Sequence, residues 1–192
     1  MTPTVARVVV LVCWTLMGVV AVASYVGAAR RRRRTGLDQR PAQRSSVSLW
    51  GLAMEAAAFG LIWSLPRSDT GPEILGWMAA GLAVAAAGLF VWAVRTLGVH
   101  FRIQAVVTHD HQLVTCGPYR FLRHPIYASL LWMLLSNSLL VTRWEAAVGA
   151  LALFVVGTEI RVRVEERLLA VCLPEEFAAY RRRLPAYIPF LR

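Results

Sequence analysis

The chain has 192 residues, of which 57% are hydrophobic and only 17% are charged. A water-soluble domain is typically about 45–50% apolar and about 25% charged. Because the surplus apolar residues lie in long runs, the composition excludes an ordinary soluble domain and favours an integral membrane domain. The formal net charge is +10, and all 21 basic residues are arginine. These arginines flank the apolar runs, so we expect membrane lipids, and not nucleic acid, as partners.

Five apolar runs predict an all-α integral membrane protein with about five transmembrane helices. The predicted spans are residues 5–29, 47–65, 74–94, 126–141 and 146–160. A bilayer core of about 30 Å needs about 20 helical residues, so the fourth run is short for a span. Only residues 142–145 separate the last two runs, which predicts a tight antiparallel helical hairpin.

The chain divides by composition into two parts. Residues 1–94 contain three of the predicted spans, and residues 95–192 contain the other two together with the polar segments. The tail at 174–185 begins with acidic residues and ends with arginines, which predicts a short amphipathic helix on the inner leaflet. We therefore predict a single membrane domain whose C-terminal part carries the chemistry.

The arginines predict the orientation in the membrane. Five consecutive arginines occupy positions 30–34, after the first apolar run. If these are cytoplasmic, 18 of the 21 arginines lie inside, and only Arg7, Arg67 and Arg143 lie outside. By the positive-inside rule, this asymmetry predicts an N-terminus outside and a C-terminus in the cytoplasm. The absence of lysine, with abundant alanine, valine and leucine, suggests a bacterial source. With five predicted spans, the protein is therefore expected to be a multi-pass protein of a bacterial inner membrane.

The spacing of cysteine and histidine predicts no metal site. Cys13, Cys116 and Cys172 lie far apart and form no CxxC pair. Cys116 is expected to be a small, partly buried residue. His109 and His111 form a His-x-His pair without further ligands at suitable spacing, which is a weak metal signal.

A polar block at 117–127 brings two arginines, a histidine and two tyrosines between apolar runs. Ionisable groups at a membrane boundary are costly and usually mark a site. His124 precedes Pro125, which can serve as the first residue of the fourth helix, where backbone N–H groups suit a carboxylate or another anion. Tyr119 and Tyr127 add hydroxyl groups. Interfacial anchoring is the alternative for a single tyrosine, but the whole cluster favours a binding site.

A second polar block at 159–167 follows the last apolar run. Arg161 and Glu165 lie four residues apart, so they share one face of a continuous helix. They can form a solvated ion pair, or a bipolar pair at the mouth of a cavity, with Glu165 for a cationic or hydroxyl-bearing ligand and Arg161 for an acidic one. The spacing leaves both interpretations open. Glu55, in the middle of the second run, has no charged neighbour in the sequence, and its role also stays open.

Ordered motifs within residues 97–190 resemble one protein family. They are Leu113-Val114-Thr115, Gly117-Pro118-Tyr119, Arg123-His124-Pro125 with Tyr127, Glu165-Glu166, Glu175-Glu176-Phe177 with Tyr180, Arg183 and Pro185, and finally Pro189. In this order and spacing they are similar to the isoprenylcysteine carboxyl methyltransferase family and its bacterial relatives, which are integral membrane S-adenosylmethionine-dependent methyltransferases. Pro174 and Phe177 depart from the family pattern, which has glycine and tyrosine at these positions.

The resemblance implies a cytoplasmic cofactor pocket built by the last two spans and the C-terminal segments. The residues that would line the S-adenosylmethionine site are Gln104, His111, Gln112, Leu113, Val114, Tyr119, His124, Pro125, Ile126, Tyr127 and Glu165. Arg161 would be the catalytic and substrate-binding residue, because it would hold an acceptor carboxylate near the methyl donor. The acceptor would be a lipophilic small molecule or a lipidated one that enters from the bilayer. No metal or covalent intermediate is required.

Two other functions stay open at the level of the sequence. Sterol reductases end in a somewhat similar segment and use a reduced nicotinamide cofactor, but this sequence shows no separate cluster of phosphate-binding residues. A non-catalytic scaffold that binds anionic lipid through its arginines is the third possibility. It predicts that Tyr119→Phe and His124→Ala leave function intact. Neither the acceptor nor the oligomeric state follows from the sequence.

Overall fold

The computed structural model of the chain describes residues 3–34, 42–44, 46–66, 72–98, 106–108 and 113–188. Within these residues the α-helices are α1 (Pro3–Arg34), α2 (Val47–Ser64), α3 (Glu73–Leu97), α4 (Pro125–Val141), α5 (Trp144–Cys172) and α6 (Pro174–Arg183). A 3₁₀ turn at Gly117–Arg120 precedes α4. Two short strands, β1 (Ala42–Arg44) and β2 (Val106–Thr108), pair antiparallel.

Each of the five predicted spans coincides with one helix. Three stretches are long and apolar enough to cross a membrane, Thr4–Arg31, Val47–Ser64 and Glu73–Leu97, so the prediction of a mainly helical membrane protein is confirmed. The fourth run forms a shorter apolar helix, Pro125–Leu140, and the fifth continues through the second polar block to Cys172. The strand pair is an addition, because three-residue strands are too short to leave an alternating hydrophobic pattern in the sequence.

Prolines mark three of the helix ends. Pro125 is the first residue of α4 and Pro174 is the first residue of α6, where the missing N–H of proline has no helical partner to lose. At the other end of a helix, α2 stops at Ser64, two residues before Pro66. Pro174 and Phe177, which depart from the family pattern, are compatible with a helix at this position. Pro174 is the first residue of α6, and Phe177 is buried.

α4 is the central helix of the bundle. One part of its surface, including Tyr127 and Leu134, packs into a cluster with residues of α2 and α5 such as Phe154. Another part, at Met133, packs with residues of α1 and α3 such as Phe90. A helix enclosed on two sides needs little contact with lipid. In contrast, α1 leaves many of its valines and leucines exposed, as expected for a helix that faces the bilayer.

α4 and α5 are joined by a tight turn, as predicted. α4 ends at Val141 and α5 begins at Trp144. The turn is tied to the end of α2 because the Thr142 hydroxyl and the Arg143 N–H both donate to the Leu65 carbonyl, at 2.9 and 3.3 Å. Beyond the turn, α4 packs mainly against α3 and α5 mainly against α2. The two helices thus connect two layers of the bundle and are not an isolated hairpin.

α2 and α5 approach each other closely at a pair of glycines. A Cβ atom on Gly157 would lie 2.7 Å from the carbonyl oxygen of Gly51, and a Cβ atom on Gly51 would lie 2.6 Å from the carbonyl oxygen of Gly157. Neither position accepts a side chain unless a backbone moves, and small residues commonly allow such approaches between membrane helices. The crossing brings α2 against the part of α5 that carries the second polar block.

We predict that Gly157→Ala lowers the melting temperature of the protein in detergent. The new methyl group would press on the Gly51 carbonyl, and overpacking of this kind typically costs about 1–3 kcal/mol. Gly149→Ala is the matched control on the same helix, because its Cβ would make an ordinary contact at 3.4 Å with the Leu61 side chain. Alanine favours a helix over glycine by about 1 kcal/mol, so this control should be neutral or stabilising. Equal melting temperatures for the two variants would contradict the close crossing.

Candidate functional site

The two polar blocks meet at the start of α4. His124, the residue before α4, lies between two carboxylates of α5. Its Nδ1 is 3.5 Å from Glu165 Oε2, and its Nε2 is 3.4 Å from Glu166 Oε1. The His124 side chain is only 7% exposed, and buried polar groups of this kind need partners. The fold supplies them from a segment about 40 residues further along the chain.

The backbone at the start of α4 is held by the segment that follows α6. The N–H of Arg123 donates to the Pro185 carbonyl at 3.0 Å, and the N–H of His124 donates to the Ala186 carbonyl at 2.8 Å. Neither N–H lies inside a helix, so each needs such an external acceptor. The position of the imidazole therefore depends on the tail of the chain as well as on α5.

Glu166 is the more enclosed of the two carboxylates. Its side chain is 5% exposed, and it faces Arg123 Nη2 at 3.0 Å and Arg181 Nε at 3.6 Å in addition to His124. Arg123 also donates from Nη1 to the Arg181 carbonyl at 2.8 Å. Glu166 is thus surrounded by cations of the protein itself, and its role is to fasten α6 to the site. The motif Glu165-Glu166 does not reveal this difference between its two members.

Glu165 is the more accessible carboxylate. Its side chain is 27% exposed, and it accepts a hydrogen bond from the Tyr127 hydroxyl besides facing His124. Two buried partners therefore fix its orientation while part of its surface is open to a ligand. Such a carboxylate suits an ammonium group, a sulfonium group or a hydroxyl donor.

The surroundings of His124 and Glu165 favour the charged form of both. Burial by itself lowers the pKa of the His124 imidazole, but its hydrogen bonds to Glu165 and Glu166, and their charges, raise that pKa above its usual value. Burial likewise opposes ionisation of Glu165, but the hydrogen bond and charge of His124, with help from Arg161 and Tyr127, hold the pKa of Glu165 below its usual value. The site therefore keeps an ionised carboxylate available to a ligand at neutral pH.

Tyr119 and Tyr180 join the first polar block to α6. The Tyr180 hydroxyl donates to the Tyr119 carbonyl at 2.6 Å. Burial raises the pKa of Tyr180 to about 12 and also raises the pKa of Tyr119, so both phenols stay protonated donors. The turn that precedes Tyr119 requires glycine, because Gly117 has a φ of +58° and a Cβ atom there would lie 2.6 Å from Thr96 Oγ1.

Arg161 is buried, and the interpretation of Arg161 and Glu165 as a solvated ion pair is wrong. Arg161 is 7% exposed, and its Nη1 lies 2.7 Å from Glu55 Oε2. Glu55 also accepts a hydrogen bond from the Thr158 hydroxyl at 3.0 Å. The guanidinium carbon of Arg161 lies 5.1 Å from the centre of the Tyr127 ring, within cation–π range. The sequence of α5 could not reveal this environment, because α2 covers that face of the helix.

The other predicted site residues lie around this cluster at different depths. Pro125 is buried in the first turn of α4, whereas the Ile126 side chain packs against the cluster shared by α1 and α3. Leu113 and Val114 are half-buried in the segment before the 3₁₀ turn. Three predicted residues lie outside the described residues: Gln104, His111 and Gln112.

Neither the cysteines nor the carboxylates form a metal centre in the part of the chain that the structure describes. No group of three or more His, Cys, Asp or Glu side chains is arranged there to hold a metal ion. His109 and His111 lie outside that part. Cys116 is exposed, which corrects the expectation of partial burial, because it stands at the surface end of the 3₁₀ turn.

We predict that His124→Gln destabilises the protein more at pH 6 than at pH 9. The folded pKa of His124 is raised, so its contribution to stability is fully present below the unfolded value of about 6.5 and is lost as the pH rises through the folded pKa. Glu165 has a lowered pKa, so its contribution is lost only in acid, below about pH 4.3.

The measurement is thermal unfolding in detergent between pH 6 and 9, with the melting temperatures of the two proteins expected to differ by a few °C at pH 6. Arg163→Gln is the control, because Arg163 is exposed and its ion pair with Glu159 includes neither His124 nor a partner of His124. A difference between His124→Gln and wild type that does not change with pH would contradict a protonated His124.

Comparison with known proteins shows which family and which proteins this chain is similar to. The model of the isoprenylcysteine carboxyl methyltransferase (ICMT) family matches residues 79–171, a region that contains His124, Arg161 and Glu165. The chain is 32% identical over 156 residues to the cobalt-zinc-cadmium resistance protein CzcN of Cupriavidus metallidurans, which is 77% of this chain and 65% of that protein.

Two eukaryotic relatives carry a name that states an activity. The chain is 31% identical over 130 residues to the protein-S-isoprenylcysteine O-methyltransferase of Rattus norvegicus, covering 63% of this chain and 45% of that enzyme. It is 30% identical over 82 residues to the protein of the same name from Saccharomyces cerevisiae, covering 43% of this chain and 34% of that enzyme. This chain thus spans less than two thirds of the length of each of these relatives.

Proposed function

Because this chain belongs to the ICMT family, we propose that it is a membrane methyltransferase that transfers a methyl group from S-adenosylmethionine to a lipophilic acceptor, with a carboxylate as the favoured acceptor group. The observation that carries the proposal is the pairing of Glu165, an ionised and partly exposed carboxylate, with Arg161, a buried guanidinium one helical turn away. One end of the site suits a cation and the other end suits an anion.

The side chains around Glu165 fit the polar groups of S-adenosylmethionine. The cofactor carries an ammonium, a sulfonium, a carboxylate and ribose hydroxyls. Glu165 would attract the cationic part or accept from a hydroxyl, and the N–H groups in the first turn of α4, after His124, suit the carboxylate. Tyr119 and Tyr127 would add aromatic surface and hydroxyl groups. Leu113, Val114, Pro125 and Ile126, with Gln104, His111 and Gln112, complete the set proposed to line the cofactor site.

Arg161 supports an acidic acceptor. A guanidinium group presents five N–H donors in a planar fork that matches a carboxylate. When bound, S-adenosylmethionine supplies an electrophilic methyl group, whose transfer to a carboxylate oxygen forms a C–O bond, breaks the C–S bond and leaves a neutral thioether. The protein's part would be to orient the two reactants and to exclude water, since positioning accounts for much of the rate enhancement in such displacements.

The acceptor of this chain does not follow from its relatives. One is named for resistance to cobalt, zinc and cadmium, and the others are named for methylation of isoprenylcysteine. We propose a lipophilic small molecule or a lipidated group that enters from the bilayer, because the site lies where apolar helices meet. A nicotinamide-dependent reductase is the alternative function, and it requires a phosphate-binding cluster of its own.

The positions of exposed tryptophans support five spans. One group consists of Trp50, at the start of α2, and Trp92, near the end of α3. The other group consists of Trp63, near the end of α2, Trp77, near the start of α3, and Trp144, at the start of α5. Tryptophan is enriched at both membrane–water interfaces. The two groups of tryptophans therefore favour a bilayer that α4 and the first part of α5 cross together with α1, α2 and α3. The site would then lie at the cytoplasmic face, with the N-terminus outside.

We predict that the purified protein binds S-adenosylmethionine saturably in detergent and that Glu165→Gln weakens this binding by about tenfold or more, since a hydrogen bond to a charged group contributes about 1.5–3 kcal/mol. Glu175→Gln, at an exposed position of α6, is the matched control and should bind like wild type. Isothermal titration calorimetry measures both. No saturable binding to wild type, or equal binding to Glu165→Gln, would overturn the proposal.

The same preparation distinguishes the acceptor class and the alternative function. Lipid extract incubated with methyl-labelled cofactor should gain label only when the protein is present. If the acceptor is a carboxylate, alkaline hydrolysis releases this label as methanol, whereas a methylated amine keeps it. Displacement of S-adenosylmethionine by a reduced nicotinamide cofactor would favour the reductase instead.

We predict that Cys116 lies on the cytoplasmic side. A membrane-impermeant maleimide should modify this exposed thiol in inverted membrane vesicles and leave it unmodified in intact spheroplasts. The experiment uses a Cys172→Ser background, because Cys172 is partly exposed, and Cys13 is buried. A Cys116→Ser variant controls for labelling elsewhere. Modification in intact spheroplasts would reverse the proposed orientation.

A further inference from the structure

Glu55 is a buried carboxylate on α2, in the part of the chain that the family model does not match. It is 3% exposed, and both of its carboxylate oxygens are engaged by α5. Oε2 lies 2.7 Å from Arg161 Nη1, and Oε1 accepts from the Thr158 hydroxyl at 3.0 Å. Two bonds to one helix fix the plane of the carboxylate, so the guanidinium that it contacts is fixed as well.

Stability alone does not explain such a pair. Removing two charges from water is costly, and a buried ion pair often contributes no more stability than a well-packed apolar pair of the same volume. What a buried pair does determine is geometry. An arginine has several rotatable bonds, and a carboxylate anchored on a neighbouring helix selects one arrangement of them.

The position of Glu55 relative to the site follows from the glycine crossing. Gly51 and Gly157 each lie one helical turn before a member of the pair, on α2 and α5 respectively. Because these glycines let the two backbones approach, the short side chain of Glu55 reaches the guanidinium directly. Larger residues at the crossing would move the carboxylate away from Arg161.

Glu55 is also connected to the proposed cofactor end. The Arg161 guanidinium lies over the Tyr127 ring, 5.1 Å from its centre, and the Tyr127 hydroxyl donates to Glu165. The path from Glu55 to the exposed carboxylate therefore runs through two side chains in direct contact. A change at Glu55 acts first on Arg161, which is the residue proposed to hold the acceptor.

We propose that Glu55 is a positioning residue of the active site, which orients Arg161 toward the acceptor carboxylate, so that the N-terminal half of the chain contributes to acceptor binding. This inference rests on the proposed methyl transfer. With one edge of the guanidinium held by Glu55, the rest of the group is presented in a single orientation to a second carboxylate. Preorganisation of this kind favours the reacting geometry over other bound arrangements.

The test is the rate of label transfer from methyl-labelled S-adenosylmethionine to a total lipid extract, measured as kcat/KM for the extract, with cofactor affinity measured separately. Glu55→Gln keeps the shape of the side chain and removes its charge. We expect it to lower kcat/KM for the extract by about tenfold to a hundredfold, as small displacements of a positioning group do, and to leave the affinity for S-adenosylmethionine within about twofold.

Ser136→Ala is the matched control for a merely structural effect. Ser136 is fully buried and donates to the Ala79 carbonyl at 2.7 Å, so its loss also removes a buried interhelical hydrogen bond, between α3 and α4. This variant should melt at a lower temperature and keep its kcat/KM. If Glu55→Gln does not fold, the double variant Glu55→Gln/Arg161→Gln removes both charges and replaces the ion pair with two amides that can bond to each other.

The double variant also completes a thermodynamic cycle. If Glu55 acts through Arg161, adding Glu55→Gln to Arg161→Gln should cause no further loss of activity. Should the two losses multiply, or should Glu55→Gln match Ser136→Ala in kcat/KM, the inference is overturned while the methyl transfer stands. A wild-type protein that neither binds the cofactor nor labels the extract overturns the proposed function, and the positioning role with it.

Discussion

The site depends on one constraint, which is that charges held away from water must be compensated by other charges of the protein. Glu166 faces Arg123 and His124, and all three side chains are buried, while His124 also faces the more accessible Glu165. Removing one partner of such a pair leaves an uncompensated charge and typically costs about 3–5 kcal/mol. The start of α4, the last part of α5 and α6 are consequently held together at one point, although they are distant in the chain.

The apolar bundle provides the frame for these charges. α4 lies between two hydrophobic clusters, one with α2 and α5 and the other with α1 and α3, so its first residue has a defined position. The glycine crossing of α2 and α5 sets the distance between the Glu55 carboxylate and the Arg161 guanidinium, because it lets the two helices approach closely. Surface ion pairs such as Arg143 with Glu145 are largely solvated and contribute little by comparison.

The proposed function draws on residues from two parts of the chain. The family match covers residues 79–171, which include the cofactor candidates at the start of α4 and on α5. α2 lies outside that match, yet it carries the carboxylate that contacts Arg161. Under the proposed function, the acceptor side of the site therefore includes a helix that the family model does not match.

The sequence by itself determined the membrane class, the six α-helices and the neighbourhood of the site. Apolar runs indicate helices because a chain in lipid must satisfy its backbone hydrogen bonds within the same segment. Pro125 and Pro174 mark helix starts because the missing N–H of proline is tolerated there. The motifs around His124 and Glu165 identified both polar blocks. No local pattern, however, distinguishes Glu165 from Glu166 or reveals what faces Arg161.

Those distinctions were decided by the tertiary structure. Glu166 is buried because Arg123 and the α6 residue Arg181 face it, whereas the Glu165 side chain is 27% exposed. Arg161 is buried because α2 covers its face of α5, and Glu55 gains a partner from 106 residues away. The physical reason is that burial and charge pairing depend on which helices are neighbours in space, whereas sequence periodicity reports only which face of a single helix is apolar.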